Sequence, residues 1–320
     1  MKVPHPIPYQ GSKRSIARYI LKYFPGDVDT LIEPFAGSAA ISLAAACHAK
    51  AKRFIVNDVN EPLIALWDQI LHDPNAIANA YQKLWEEQRD REREFYDEVR
   101  SCFNQTRRVD YLLYLLARCV KAAIRYNSSG EFNQSPDNRR KGMRPSTMLS
   151  QIVGASSLLK GKTALACTDY REIVRKASTT DLVYLDPPYQ GVHGGRDHRY
   201  AQSLSYESFV ASLEELKDNN VSFIVSYDGR TGAKKFGQPL PQSLLLTHIE
   251  IKAGKSSQAT LLGRNEETFE SLYLSSALVA RIREHVEHSC TQPTLFNYRA
   301  ESEPTQGIPQ ATEGRNGKTA

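Results

Sequence analysis

Asp186-Pro187-Pro188-Tyr189 stands directly after the apolar run Leu182-Val183-Tyr184-Leu185. A strand that runs into two prolines has to end there. Pro188 lacks an N–H and fixes its own φ, and Pro187, as the residue before a proline, is driven to an extended geometry. The rigid turn that results displays two acceptors, the Asp186 carboxylate and the Pro187 carbonyl, with the aromatic face of Tyr189 beside them. This set suits methyl transfer to an exocyclic amine. Such an amine is a poor nucleophile because its lone pair is delocalised into the ring. Acceptors aimed at its two N–H bonds favour a pyramidal nitrogen, free the lone pair and fix the line of attack. A base in a helix must leave it to reach the turn, at a cost of a few kcal/mol. Stacking on Tyr189 returns ~1–3 kcal/mol of that. Asp186, Pro187, Pro188 and Tyr189 are therefore the candidate catalytic residues.

A second constellation points to a bound adenosine. Glu33-Pro34-Phe35-Ala36-Gly37-Ser38 lies between a short apolar run at 30–32 and an alanine-rich helical segment at 39–49. A glycine there lets a ligand approach the backbone, and the helix start offers free N–H groups. Asp58 follows the strand-like run Arg53-Phe54-Ile55-Val56-Asn57, about twenty residues beyond Gly37, the spacing at which an acid binds two ribose hydroxyls. Both features fall at the carboxyl ends of neighbouring strands, where open α/β sheets bind ligands.

The stretch 125–144 is polar, basic and without helical period. It carries Arg125, Arg139, Arg140, Lys141 and Arg144, with Lys121 just before it, against Glu131 and Asp137, and Tyr126 and Phe132 are interleaved. It reads as a long loop or hairpin whose arginines serve phosphates or guanine edges and whose asparagines serve adenine edges. The glycine-rich stretch 190–200 reads as a segment that folds over the flipped base or that orders only with DNA. Its His193, Asp197 and His198 lack ligand spacing, and no metal site is expected. Gly254-Lys255-Ser256-Ser257-Gln258 is compatible equally with a phosphate contact and with a plain hairpin turn.

The elements that must hold these residues follow from periodicity. Residues 12–24 have helical spacing and stop at Pro25-Gly26. A strand, the loop, a helix and the strand at 53–57 complete a βαβ opening. From 61 to about 123 nearly everything is helical, and the acids and arginines of 86–100 form a solvated helix face. Strand and helix alternate again from about 162: strands at 163–167, 182–185 and 221–225, helices at 170–176 and 209–216, late strands at 244–251 and 272–275. The expectation is an α/β, Rossmann-like domain in two pieces, 1–60 and 160–290, interrupted by a mainly helical insert at 61–159. The tail at 291–320 has too few apolar residues to order.

Composition permits all of this. With 320 residues, 41% hydrophobic and 24% charged, a sizeable core is available, which excludes collagen, wholly disordered chains and disulfide mini-scaffolds. No stretch reaches ~18 apolar residues, and the N-terminus lacks the apolar segment of a signal peptide. Cys47, Cys102, Cys119, Cys167 and Cys290, never paired as CxxC, read as reduced buried thiols of a cytoplasmic protein. A net charge of +5 permits a nucleic-acid partner without demanding one.

Together these motifs resemble the Dam-like, alpha-group class of adenine-specific DNA methyltransferases. Pro8-Tyr9-Gln10-Gly11-Ser12-Lys13 is similar to that family's N-terminal aromatic-x-Gly-x-Lys cofactor motif, Glu33-Pro34-Phe35-Ala36-Gly37 to its glycine loop, and Asp58 to its ribose-binding acid. Arg125-Tyr126-Asn127 with Gly130 and Phe132-Asn133 resembles the hairpin that meets DNA. Thr168-Asp169-Tyr170 and Ser226-Tyr227-Asp228 fall where further strand-end motifs lie. The likeness runs from about 8 to 275. Gln10 and Ser12 stand where small residues are usual, and Ser38-Ala39 replaces a glycine-containing pair.

The resemblance implies S-adenosylmethionine as donor, held by Tyr9, Lys13, Glu33, Phe35, Gly37, Asp58 and Asp186. Lys13 would suit the donor's methionine carboxylate. The resemblance also implies double-stranded DNA as substrate, contacted by Arg125, Asn127, Asn133, Arg139, Arg140 and Lys141. A monomer suffices to modify one strand at a time, and a cognate restriction endonuclease is a compatible partner. The rival readings are the same chemistry on cytosine in DNA or adenine in RNA, and a non-catalytic DNA-binding protein. A nicotinamide dehydrogenase would need a GxGxxG that the sequence lacks.

Overall fold

The structure, a computed structural model, describes residues 2–188, 204–231, 234–236, 239–255 and 267–291. Its centre is β1 (Thr30–Glu33), all four residues of which are buried. The other strands are β2 (Arg53–Asn57), β3 (Thr163–Ala166), β4 (Leu182–Leu185), β5 (Ser222–Thr231), β6 (Lys234–Phe236), β7 (Thr247–Lys255) and β8 (Glu267–Leu274). They form one sheet in the order β3-β2-β1-β4-β5-β8-β7, with β6 paired to β5. β1 to β5 run parallel, and β8 and β7 close the edge antiparallel. The strand order reverses between β1 and β4, so the loops leaving these two strands open on one crevice.

Near-continuous apolar strands require cover on both faces. One face carries Ile32, Val183, Leu185, Phe223 and Val225, packed with α8 (Tyr170–Val174) and α9 (Tyr206–Asp218). The other carries Leu31, Phe54, Val56, Tyr184, Ile224 and Leu272, covered by α2 (Ala40–Cys47) and by Leu278 of α10 (Ser276–Thr291). Arg281 fixes α10 to the sheet's amino end by bonding Asp27 Oδ1 and the Thr180 and Asp181 carbonyls.

The crossover from β2 to β3 holds five helices: α3 (Glu61–His72), α4 (Pro74–Glu87), α5 (Glu92–Thr106), α6 (Val109–Arg118) and α7 (Pro145–Leu159). Asn60 and Asp73 cap the first two by accepting from Leu63 N and Ala76 N, and each of these helices has a proline in its first turn. The crossover's apolar core, with Trp67, Tyr81, Phe103 and Tyr114, runs without a break into α2 and the sheet. No helix among the described residues is long and apolar enough to cross a membrane.

Three expectations need correction. The helix at 12–24 is fragmented into a 3-10 turn at Lys13–Ser15, α1 (Ala17–Ile20) and a second 3-10 turn at Leu21–Tyr23. The acid-and-arginine face at 86–100 is two helices, broken where Asp90 adopts φ +64°. Of the free cysteines described, Cys119 is buried, Cys47 is half-buried and Cys102 and Cys167 are exposed, so "buried thiol" holds for one of them. The tail beyond 291 and the stretch 190–200 lie outside the described residues, as does the part of 254–258 beyond Lys255.

Candidate active site

Three strand ends are tied together by Asn57, the last residue of β2. Its side chain is fully buried. Nδ2 donates to the Pro34 carbonyl at 2.9 Å and the Thr168 carbonyl at 3.1 Å, and Oδ1 accepts from Thr168 N at 3.1 Å. The loops leaving β1, β2 and β3 therefore share one polar clip. A lone asparagine at a strand end carries no pattern in the sequence, and it was not among the expected site residues.

Asp58 comes next and meets the glycine loop. Its Oδ2 accepts from Gly37 N at 3.1 Å and its Oδ1 from Asn60 N at 2.9 Å. Gly37 has φ +51°, a left-handed backbone that glycine adopts without strain, and its carbonyl accepts from the Trp67 indole at 3.0 Å. Tyr9 covers Gly37, and Ser38 Oγ donates to Ser12 Oγ at 2.9 Å. The N-terminal motif thus lies against the glycine loop. Ala39, in the departing Ser38-Ala39 pair, also has a left-handed φ of +45° just before α2. Phe35 packs on Tyr170 with ring centroids 4.9 Å apart.

Glu33, at the end of β1, is 3% exposed, and its Oε2 accepts from Ser42 N at 2.9 Å. Burial raises its carboxyl to about 7. Asp186 follows β4 at the other side of the switch point. Lys13 Nζ lies 3.1 Å from Asp186 Oδ1 and 3.3 Å from Glu270 Oε2 on β8. Burial raises Asp186 to about 6 against the opposing pull of Lys13. Pro187 is buried and Pro188 half-buried. Tyr189 lies outside the described residues. The expected cofactor and catalytic residues that are described thus gather along the carboxyl ends of β1, β2 and β4.

The family profile for D12 class N6 adenine-specific DNA methyltransferase matches residues 9–257. The chain belongs to this family. Among curated relatives, it is 28% identical to the Retron Ec67 DNA adenine methylase of Escherichia coli over 84% of this chain and 90% of that one. It is 27% identical to the Type II methyltransferase M.MjaIII of Methanocaldococcus jannaschii over 59% and 70%, and 25% identical to the DNA adenine methylase of Vibrio cholerae over 81% and 91%. The crevice at the strand ends therefore belongs to a Rossmann-like enzyme that methylates adenine N6 in DNA.

In this D12 methyltransferase the first part of the basic segment, 125–133, is a hairpin. Tyr126 bridges Phe132, and Asn133 N donates to the Arg125 carbonyl at 3.0 Å. Arg125 and Asn133 are exposed and adjacent across it. Arg107 holds the tip, donating to the Gly130 carbonyl at 2.7 Å with its guanidinium 5.7 Å from the Tyr126 ring centroid. Gln10 N donates to the Ala122 carbonyl at 3.0 Å, which joins the N-terminal motif to the hairpin's base.

Two features of this segment differ from the sequence reading. The Asn127 side chain is committed to the turn itself: Oδ1 accepts from Ser129 N and Glu131 N, and Nδ2 donates to Glu131 Oε2 at 2.9 Å. The cations beyond the hairpin have acidic partners. Arg139 forks onto Asp137 at 3.0 and 3.2 Å, Arg140 reaches the same carboxylate at 3.4 Å, and Lys141 pairs with Glu92 at 2.7 Å.

Proposed function

We propose that S-adenosylmethionine is the methyl donor and that Asp186 and the Pro187 carbonyl hold the adenine amine in line with it. The donor residues suit such a molecule. Asp58 stands at the end of β2 beside the Gly37 N–H, where an acid accepts from ribose hydroxyls. Phe35 and Tyr9 offer aromatic faces at the same loop. Lys13, already tied to two carboxylates, fits the role of orienting Asp186 better than that of a free cation for the donor's own carboxylate. When bound, the sulfonium supplies an electrophilic methyl group.

The chain's residues do the rest. Lys13 occupies Asp186 Oδ1, which leaves Oδ2 to accept one amine N–H while the Pro187 carbonyl accepts the other. Held so, the nitrogen lone pair would be free to take the methyl group that the sulfonium would release, and the nitrogen would shed one proton. Asp186, raised to about 6, is ionised at neutral pH and still basic enough to take that proton. Tyr189 stacks on the extruded base, and Pro188 keeps the turn rigid.

The catalytic domain in this reading is 1–60 with 160–290, and the insert at 61–159 supplies target recognition. Arg125 and Asn133 face the bases or backbone of duplex DNA, and Arg139, Arg140 and Lys141 face phosphates. A cytoplasmic monomer suffices for this chemistry. A restriction endonuclease is the companion that a protective methylase would have.

The observation that carries the reading is the Asp186–Lys13 pair at the switch point of the sheet. The experiment is Asp186→Ala, assayed with tritiated S-adenosylmethionine on DNA from a methylase-free host, with donor affinity measured by calorimetry. The expected result is lost turnover with DNA binding retained. A variant that keeps its rate removes the amine clamp.

A further inference from the structure

Glu270 occupies the middle of β8, in register with Gly229 of β5 and Ile251 of β7. Nothing in its surroundings in the sequence marks it, since it is one acid in the mixed run Glu267-Thr268-Phe269-Glu270-Ser271-Leu272. The fold nevertheless brings it 3.3 Å from the ammonium that Asp186 Oδ1 meets at 3.1 Å. Lys13 is only 7% exposed, whereas the two carboxylates keep 23% and 20% of their side chains open. A buried lysine paired twice is fixed in place, whereas a single ion pair lets a compact ammonium on a four-carbon stem move about its partner.

We propose that Glu270 is a positioning residue for methyl transfer: it holds the Lys13 ammonium on one oxygen of Asp186 so that the other oxygen stays aimed at the adenine amine. The inference rests on Asp186 being the amine acceptor. Two consequences follow from charge. Lys13 alone would neutralise Asp186 and weaken it as an acceptor. Sharing the ammonium with Glu270 leaves the trio with one net negative charge at the acceptor. Among the described residues, the ionisable groups that face Asp186 include Lys13 from the N-terminal segment, Glu270 from β8 and Glu33 from β1. Among them Lys13 lowers its carboxyl and Glu270 raises it. Without the Glu270 charge, Lys13 acts unopposed by β8 and Asp186 becomes more acidic.

The test uses the full chain with Glu270→Gln, Glu270→Asp and Asp186→Ala, each checked for native circular dichroism. The assay is tritium transfer from S-adenosylmethionine to unmethylated genomic DNA across pH. Glu270→Gln is expected to lower kcat about tenfold with KM for donor and DNA within about twofold, the pattern of a loss felt mainly in the transition state. The acid limb of its kcat profile should move to lower pH. Glu270→Asp keeps the charge on a shorter stem and should give an intermediate rate with the limb at its original pH.

A Gln variant at parental rate, an unmoved limb, or a loss confined to KM overturns the proposal. Should the Gln variant fail to fold, the Asp variant carries the test, and a parental rate there overturns it. Asp186→Ala separates the two readings. If it retains turnover, the amine clamp is wrong. If it is inactive while Glu270→Gln is unaffected, only the positioning role falls.

Discussion

The Tyr9 ring lies so close over Gly37 that a Cβ on the glycine would stand 2.8 Å from Tyr9 Cε1 and 3.1 Å from Cζ. The aromatic residue of the N-terminal motif and the glycine of the β1 loop are thus one structural unit, although 28 positions of sequence and a strand separate them. The contact needs a residue without a side chain, and the φ of +51° needs one that tolerates the left-handed region.

Gly37→Ala therefore meets two obstacles at once, the ring and the backbone. The expected cost is about 1–3 kcal/mol of stability, with a donor affinity reduced because Tyr9 must swing away from the loop. Thermal unfolding and calorimetric titration with S-adenosylmethionine measure the two effects. Unchanged donor affinity would mean that this contact does not shape the donor pocket.

Asn57 gives a second prediction. Asn57→Ala leaves the Thr168 N–H and the Pro34 and Thr168 carbonyls without the partners they have at 2.9–3.1 Å. Each orphaned buried group costs about 1–3 kcal/mol. Asn57→Asp preserves the acceptor for Thr168 N but sets an oxygen against two carbonyls, so it should be no better than alanine. Urea unfolding of both variants checks this ordering. An aspartate as stable as the parent would show that the clip does not act through its Nδ2 donor.

The contrast between Asn57 and Asp186 explains what could be read from the sequence and what could not. Asp186 is flanked by a buried strand and two prolines, so its position, rigidity and chemistry are all local. The parallel strands at 53–57 and 182–185 are legible for the same reason, since burial on both faces makes continuous apolar runs. Asn57 and Glu270 act only across the sheet, on loops and segments distant in sequence, and their local context is unremarkable.

For Asn127 and the arginine pair the residue types are legible but their intramolecular partners are not. Their residue types suggest DNA, but short-range geometry lets Asn127 close its own turn and lets Asp137 collect both Arg139 and Arg140. Residues 12–24 have helical spacing, yet the chain is drawn into short turns where Lys13 reaches across to β4 and β8.

Glu33 should leave a signature in the pH dependence of stability. Its carboxyl is raised from an ordinary 4.5 to about 7, first by burial. The folded state therefore holds this proton more tightly than the unfolded state does. The stability it contributes is complete below about 4.5, and it is lost as pH rises to about 7. Asp186 adds a change of the same sign between 3.8 and about 6. Glu33→Gln, which cannot ionise, should lose less stability than the parent between pH 4.5 and 7. Chemical denaturation at several pH values across that window would show parallel curves if Glu33 titrated normally.

The basic segment provides the last prediction, and here the acidic partners change the arithmetic. Each phosphate neutralised contributes about −0.9 to the slope of log K against log salt. Replacing Arg139 and Arg140 together by alanine should flatten that slope by about 2 if both reach phosphate. The same change uncovers Asp137, whose side chain is only 5% exposed and whose carboxyl Arg139 holds below the usual carboxylate range. A bare carboxylate facing DNA repels it, so affinity should fall by more than two lost contacts explain. Asp137→Asn makes the opposite change: it keeps an acceptor for Arg139 N, at 3.1 Å in the parent, and releases both guanidiniums from their ion pairs. Binding at low salt should tighten, with a slope at least as steep as the parent's. Fluorescence anisotropy with a duplex over a salt series measures all three proteins. If the Arg139 and Arg140 double variant leaves the slope unchanged, the two arginines serve Asp137 alone and the DNA contact lies with Arg125 and its neighbours on the hairpin.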